Sequence, residues 1–144
     1  MNELNIVERV LALESVELLK TLAPDHLAQI AFIAKQVHYP PNRVLLEPDK
    51  PLDAMYVVLD GAVELLQGTE VLEVARQNDV IGSWALFDEA PLPVTARTAE
   101  ETDLLRIRRD DFFDVLSDNS EIASRLFSTL VKRFRSLVER GSAP

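Results

Sequence analysis

A chain of 144 residues, 47% hydrophobic and 27% charged, has the size of one globular domain that can bury a core without disulfide or metal staples. It has no cysteine, which excludes a disulfide scaffold, a thiol nucleophile and sulfur-ligated zinc, and its two histidines, His26 and His38, are too few for most nitrogen-rich metal sites. Fifteen Lys and Arg against 24 Asp and Glu, net charge −9, argue against direct contact with nucleic acid.

The first 36 residues carry apolar positions at three- and four-residue steps: Ile6, Val7, Val10 and Leu11, then Val16, Leu18, Leu19 and Leu22. This predicts three short helices over 1–36. The last runs from about Pro24, a first-turn proline, to Gln36, and buries Leu27, Ile30, Ala31 and Ile33. From Val37 to Arg109 the pattern changes to short runs rich in Val, Ile, Leu and Tyr between turn signals, and predicts eight strands: Val37 to Tyr39, Arg43 to Glu47, Ala54 to Leu59, Ala62 to Leu66, Glu70 to Arg76, Val80 to Ile81, Pro93 to Ala99 and Leu104 to Arg108. Asp60-Gly61 between two of these runs reads as a tight hairpin. The spacing predicts an eight-stranded antiparallel jelly roll over 37–109, mostly β with flanking helices.

Residues 110–140 read as two C-terminal helices. Asp110 to Leu116 forms the first, and Asp118-Asn119-Ser120-Glu121 has the spacing of a capping box for a longer second one, ending at Gly141-Ser142-Ala143-Pro144. The second carries Leu126, Phe127, Leu130, Val131, Phe134, Leu137 and Val138 on one stripe, with basic residues mostly off it. Charge is uneven: from Arg106 onward there are 8 basic and 6 acidic residues. No apolar run approaches the roughly 18 residues of a membrane span, and the N-terminus lacks the order of a signal peptide, so a cytoplasmic chain, or one on the cytoplasmic face of a membrane protein, with no membrane insertion of its own is expected.

Two stretches carry a resemblance. Glu47-Pro-Asp49 with Asp53 to Val63, and Asp79-Val-Ile-Gly82-Ser-Trp-Ala-Leu-Phe-Asp-Glu-Ala-Pro-Leu-Pro-Val-Thr95-Ala96, are similar to the strands and the phosphate-binding cassette (79–96) of cyclic nucleotide-binding domains. The resemblance extends from about Val16 to Leu137. It implies a ligand pocket at Gly82, Ser83, Trp84, Ala85, Leu92, Pro93, Val94 and Thr95. In the family a glutamate accepts from the ribose hydroxyl and an arginine forks the cyclic phosphate above backbone N–H groups. Here Ser83 stands at the glutamate position, Leu92 at the arginine position and Pro93 at the small hydroxyl position, while Gly82 and Thr95 match.

Ile81 to Ala96 contains Asp88 and Glu89 and no Lys, Arg or His, so an anion gains little there. Arg76 and Arg97 are the neighbouring cations that would have to compensate. The expectation is therefore a non-catalytic regulatory module with a degenerate site, no cofactor and a disfavoured cyclic nucleotide, cut from or acting within a larger transporter, helical-repeat or signalling protein. The alternatives are a genuine cyclic AMP or cyclic GMP sensor that uses cassette N–H groups, and a structural dimerisation unit. In the family the last helix pairs with its mate, which makes Leu126, Leu130, Phe134 and Leu137 the candidate homodimer and output residues. No helix-turn-helix follows, so the DNA-binding role of some family members is not expected. Enzymatic readings lack their groups: the acid pairs Asp88-Glu89 and Asp110-Asp111 diverge as sequence neighbours, and only His38 lies near a strand, short of the histidine set of metal-dependent jelly-roll enzymes. His26 and His38 read as surface or satisfied residues, and Trp84 either as a packing residue or as a plug or stacking partner in the pocket.

Overall fold

Apolar periodicity changes near residue 34, and the backbone changes with it. The computed structural model describes residues 1–142. It begins with α1 (Ile6–Leu13), a 3-10 turn (Glu17–Leu19) and α2 (Pro24–Ile33). A reciprocal cap starts α1: the Asn5 side chain accepts from the Glu8 N–H at 2.8 Å, and the Glu8 carboxylate accepts from the Asn5 N–H at 3.1 Å. Helix α2 ends three residues short of the expected Gln36, because Ala34 is already extended (ψ 128°) and Lys35 pairs with the sheet.

Eight strands follow: β1 (Lys35–Tyr39), β2 (Val44–Leu46), β3 (Ala54–Asp60), β4 (Val63–Gln67), β5 (Glu70–Ala75), β6 (Val80–Ile81), β7 (Thr95–Thr98) and β8 (Thr102–Arg108). They form two four-stranded antiparallel sheets, β1-β8-β3-β6 and β2-β7-β4-β5. Strand β3 is buried along Ala54 to Leu59 because both of its faces are covered. Met55, Val57 and Leu59 pack toward the helices with Leu105 and Ile107 of β8, whereas Ala54, Tyr56 and Val58 pack between the sheets with Leu104. The first sheet is thus a partition between a helical core and the roll interior.

The Asp60-Gly61 hairpin does not form. Strand β3 pairs with β6 and β8, while β4 pairs with β5 and β7, so Asp60-Gly61 is the corner where the chain changes sheets. A glycine is still required: Gly61 has φ +99°, and a Cβ there would stand 2.5 Å from the Glu101 carbonyl oxygen. Strand β7 starts at Thr95 rather than Pro93, which has no N–H for a ladder.

Two helices close the chain, α3 (Arg109–Asp118) and α4 (Ser120–Ser142). Helix α4 starts at Ser120, inside the expected Asp118 to Glu121 window, but those residues make no capping box. Asp118 is the last residue of α3, the Asn119 amide donates to Gln29 of α2, and the Glu121 carboxylate faces Arg125 and His26. Helix α4 continues through Gly141 to Ser142, beyond the stop expected at Gly141; Ala143 and Pro144 lie outside the described residues.

Candidate functional site

The cassette begins where β6 leaves the partition. Ile81 pairs with Tyr56, and Gly82 then turns the chain with φ +75°. A Cβ at Gly82 would meet the end of the Leu52 side chain, and the left-handed backbone at φ +75° calls for glycine. Ser83–Leu86 form a 3-10 turn without a side-chain cap; Ala85 N–H donates to the Gly82 carbonyl at 2.9 Å, and the Phe87 and Asp88 N–H groups both donate to the Trp84 carbonyl at 2.9 Å.

The turn straddles the partition. Ala85 packs into the roll interior and Leu86 into the helical core, while Trp84 and Val94, both half-buried, pack on the inter-sheet cluster of Leu46, Tyr56, Ile81 and Ala96. Trp84 is therefore a packing residue of the roll. Ser83 and Thr95 are half-buried; Leu92 is 37% exposed and Pro93 is exposed. Gly82, Trp84, Ala85 and Val94 thus share the inner side of the cassette, and Leu92 and Pro93 lie on its outer loop.

The charges there follow from neighbouring groups. Asp88 folds back to accept from the Ala90 N–H at 2.9 Å, and Glu89 is 3.4 Å from Arg109. Arg109, the first residue of α3, also donates to the Ala85 carbonyl at 3.1 Å. The cation in contact with the cassette is thereby engaged with the cassette's own carbonyl and carboxylate. On the helical side, the Phe87 ring meets Phe112 of α3 edge-on at 5.9 Å.

Neither arginine considered as a replacement reaches into the roll. Arg97 alternates with buried Ala96 and Thr98, so it lies on the outer face of β7, in register with Glu64. Arg76 is exposed in the β5–β6 turn. Arg106, which the sequence reading passed over, is placed differently. It shares a strand face with Leu104, stands in register with Tyr56, and its Nε is buried without a hydrogen-bond partner. Burial raises the Tyr56 hydroxyl above its ordinary range, with Arg106 acting against that rise. The signal was available in Leu104-Leu105-Arg106-Ile107, where strand alternation puts every second residue on one face.

The expected output stripe on α4 divides in two. Leu126 is 2% exposed against the helical core, whereas Leu130, Phe134 and Leu137 are 38%, 67% and 64% exposed. His26 is buried, with Nε2 3.6 Å from Glu121 and Nδ1 unpartnered. His38 lies between Asp103 (Nδ1, 3.1 Å) and Glu101 (Nε2, 2.5 Å) at the sheet edge. Among the described residues no helix is long and apolar enough to cross a membrane.

Comparison with known proteins places these features in context. The sequence profile of the cyclic nucleotide-binding domain matches residues 36–119. Potassium channel KOR2 of Oryza sativa subsp. japonica is 29% identical over 120 residues, 77% of this chain and 17% of the channel. The cAMP-dependent protein kinase regulatory subunit of Emericella nidulans is 29% identical over 115 residues, 78% of this chain and 28% of the subunit. The chain thus spans less than a third of either relative. Among solved structures, the N-terminal domain of a transcriptional regulator from Streptomyces coelicolor A3(2) superposes with a TM-score of 0.82 at 25% identity, covering 92% of this chain and 96% of that one.

Proposed function

This chain belongs to the cyclic nucleotide-binding domain family, and on that premise we propose that it is a non-catalytic regulatory module whose cassette no longer captures a cyclic nucleotide efficiently. The observation that carries this reading is the charge around Gly82 to Thr95. Leu92 occupies the position of the family's phosphate arginine, Ser83 that of its sugar-binding glutamate, and Arg109 is spent on Ala85 and Glu89. Loss of a bidentate charge-assisted contact costs about 2–3 kcal/mol, roughly 30- to 150-fold in affinity. Asp88 adds repulsion toward any phosphate.

In this reading signals enter through protein contacts or an uncharged ligand and leave through α3 and α4. Arg109 and the Phe87–Phe112 contact supply the mechanical link, since a shift of the cassette must move the start of α3. The exposed stripe of Leu130, Phe134 and Leu137 supports pairing with a second copy as the form of that output. The names of the channel and kinase-subunit relatives support a place within, or bound to, a larger signalling assembly.

Isothermal titration with cyclic AMP and cyclic GMP tests the reading. No saturable heat at micromolar ligand is expected, and micromolar binding of either nucleotide overturns it. One observation favours the rival reading, a working sensor: the unpartnered Nε of Arg106 faces the roll interior and is a cation that a bound phosphate would satisfy. If binding is found, its loss in Arg106→Gln would assign the anion contact to β8 rather than to the cassette.

A further inference from the structure

Helix α4 changes character along one face. Ile122, Leu126 and Thr129, at four- and three-residue steps, are buried against the rest of the chain. The next positions on that face are Arg133, Ser136 and Arg140. Here α4 no longer packs on a core but borders a cleft of about 490 Å³ whose other wall is the Glu17 to Thr21 segment. Lys132 lines the same cleft.

The cations of this cleft are not balanced as those elsewhere on α4 are. Arg125 pairs with Glu121 and Arg135 with Glu139, each one turn away. Among the described residues, Lys132, Arg133 and Arg140 form no ion pair. Glu17 is the carboxylate that lines the cleft, and Lys20 already holds it at 2.9 Å. That contact, with a smaller contribution from Arg133, keeps the Glu17 carboxyl below its ordinary range. Three cations against one partly neutralised carboxylate leave an excess of positive charge, inside a chain whose net charge is −9.

Hydroxyl groups complete the lining. Thr129 donates to the Arg125 carbonyl at 3.0 Å, so the 2.8 Å contact between Thr21 and Thr129 runs from the Thr21 hydroxyl. The Ser136 hydroxyl lies one turn further along. Both threonine hydrogens are thereby used, so two forked guanidiniums, an ammonium and the Ser136 hydroxyl are the groups left to meet a ligand, a set that suits a compact polyanion, with Leu137 the one large apolar wall. A monovalent ion would gain little at so exposed a place, where salt screens single contacts.

We propose that this cleft is a second binding site, separate from the cassette, for a small multivalent anion of the phosphate class. Bound there, the anion lies along the C-terminal half of α4, held between the Arg133 and Arg140 side chains. The site uses no cassette residue, so binding here and cyclic nucleotide binding succeed or fail independently.

Inorganic pyrophosphate is the probe. Calorimetric titration of the whole chain at low salt is expected to give saturable one-to-one binding, weakened about tenfold or more by Arg133→Gln or Arg140→Gln and changed less than about twofold by Arg135→Gln. Both cleft variants replace exposed side chains and should melt with the wild type; a variant that does not is set aside in favour of the other. Hydrogen exchange over residues 129–140 should slow with pyrophosphate, and excess cyclic AMP should not displace it. Absence of saturable heat, or equal weakening by Arg135→Gln, overturns the proposal, the latter because it indicates diffuse attraction to α4 rather than a site.

Discussion

Arg109 donates from Nη1 to the Ala85 carbonyl at 3.1 Å, joining the first residue of α3 to the middle of the cassette turn. Its other terminal nitrogen is 3.4 Å from Glu89, and the side chain is 13% exposed, so the guanidinium is held by two parts of the cassette at once. One residue of β8–α3 chemistry thus reports the position of residues 83–89 to the C-terminal helices. The arrangement also explains why the cassette holds together while carrying Asp88 and Glu89.

Replacing Arg109 with Gln should therefore loosen the cassette more than the roll. Amide exchange over residues 83–90 is expected to accelerate about tenfold, with global stability lowered by about 1–2 kcal/mol in urea unfolding. If exchange rises equally in β3 and β8, Arg109 is a general stabiliser and not a local tie.

A second test rebuilds what the cassette lacks. The start of the 3-10 turn already presents the Ser83 and Trp84 N–H groups, which have no protein acceptor among the described residues. Adding a cation and a sugar acceptor should therefore be enough to gain binding. The triple variant Ser83→Glu, Leu92→Arg, Pro93→Ala is expected to bind cyclic AMP at least about tenfold more tightly than the wild type by calorimetry. A folded triple variant with no gain would place the defect in the occupied roll interior around Trp84 instead of in the missing charges.

Strand order was the least legible part of the fold, and the reason is physical. Short apolar runs between turn residues located all eight strands to within a few residues, because the composition of each strand and the turns that bound it are local features. Which strands pair is decided by long-range contacts that leave no local imprint. Asp60-Gly61 has the residues of a hairpin, yet the same residues serve a sheet-to-sheet corner where Glu101 and Thr102 press on the backbone. The cassette was legible as a sequence pattern, and the face of Arg106 was available from strand alternation, but the role of Arg109 was not, since it acts through a backbone carbonyl. The cleft beside α4 required knowing that the Glu17–Thr21 segment lies under Arg133 and Arg140.

The Gly61 corner can be tested against another left-handed glycine. Gly61→Ala adds a Cβ 2.5 Å from the Glu101 carbonyl oxygen and 2.6 Å from the Thr102 hydroxyl, at φ +99°. Gly68, in the β4–β5 turn, has φ +62° and nothing within 4 Å. Alanine at Gly61 should cost about 2–4 kcal/mol and at Gly68 about 1 kcal/mol in urea unfolding. Equal losses would mean that backbone conformation alone, without the close approach, governs the corner.

His38 sets a pH dependence. Its hydrogen bond to Asp103, then that to Glu101, raises its pKa above the ordinary 6.5. A group whose pKa is higher folded than unfolded binds its proton more tightly in the native state. Its stabilisation is complete below the unfolded value and disappears as pH rises through the folded one. The urea midpoint of the wild type should therefore exceed that of His38→Gln near about pH 5.5, with the difference shrinking toward zero by about pH 9. A difference that stays constant across this range would show that His38 acts by packing rather than by charge.

Helix α4 provides the test of self-association. Phe127, Leu130, Phe134 and Leu137 recur at alternating steps of three and four, and all are exposed in the single chain. An unpaired stripe of this kind would bury its apolar surface against a second copy. Sedimentation should show the wild type moving from monomer to dimer with rising concentration, and Phe134→Asp remaining monomeric. Because Phe134 is 67% exposed, the variant should keep the wild-type melting temperature within a degree or two by the usual size of surface effects. Leu126→Asp supplies the contrast: at 2% exposure it lies in the core, so it should destabilise the monomer itself. A wild type that stays monomeric at millimolar concentration would leave the stripe without a self-partner and shift the output reading to contact with a different protein.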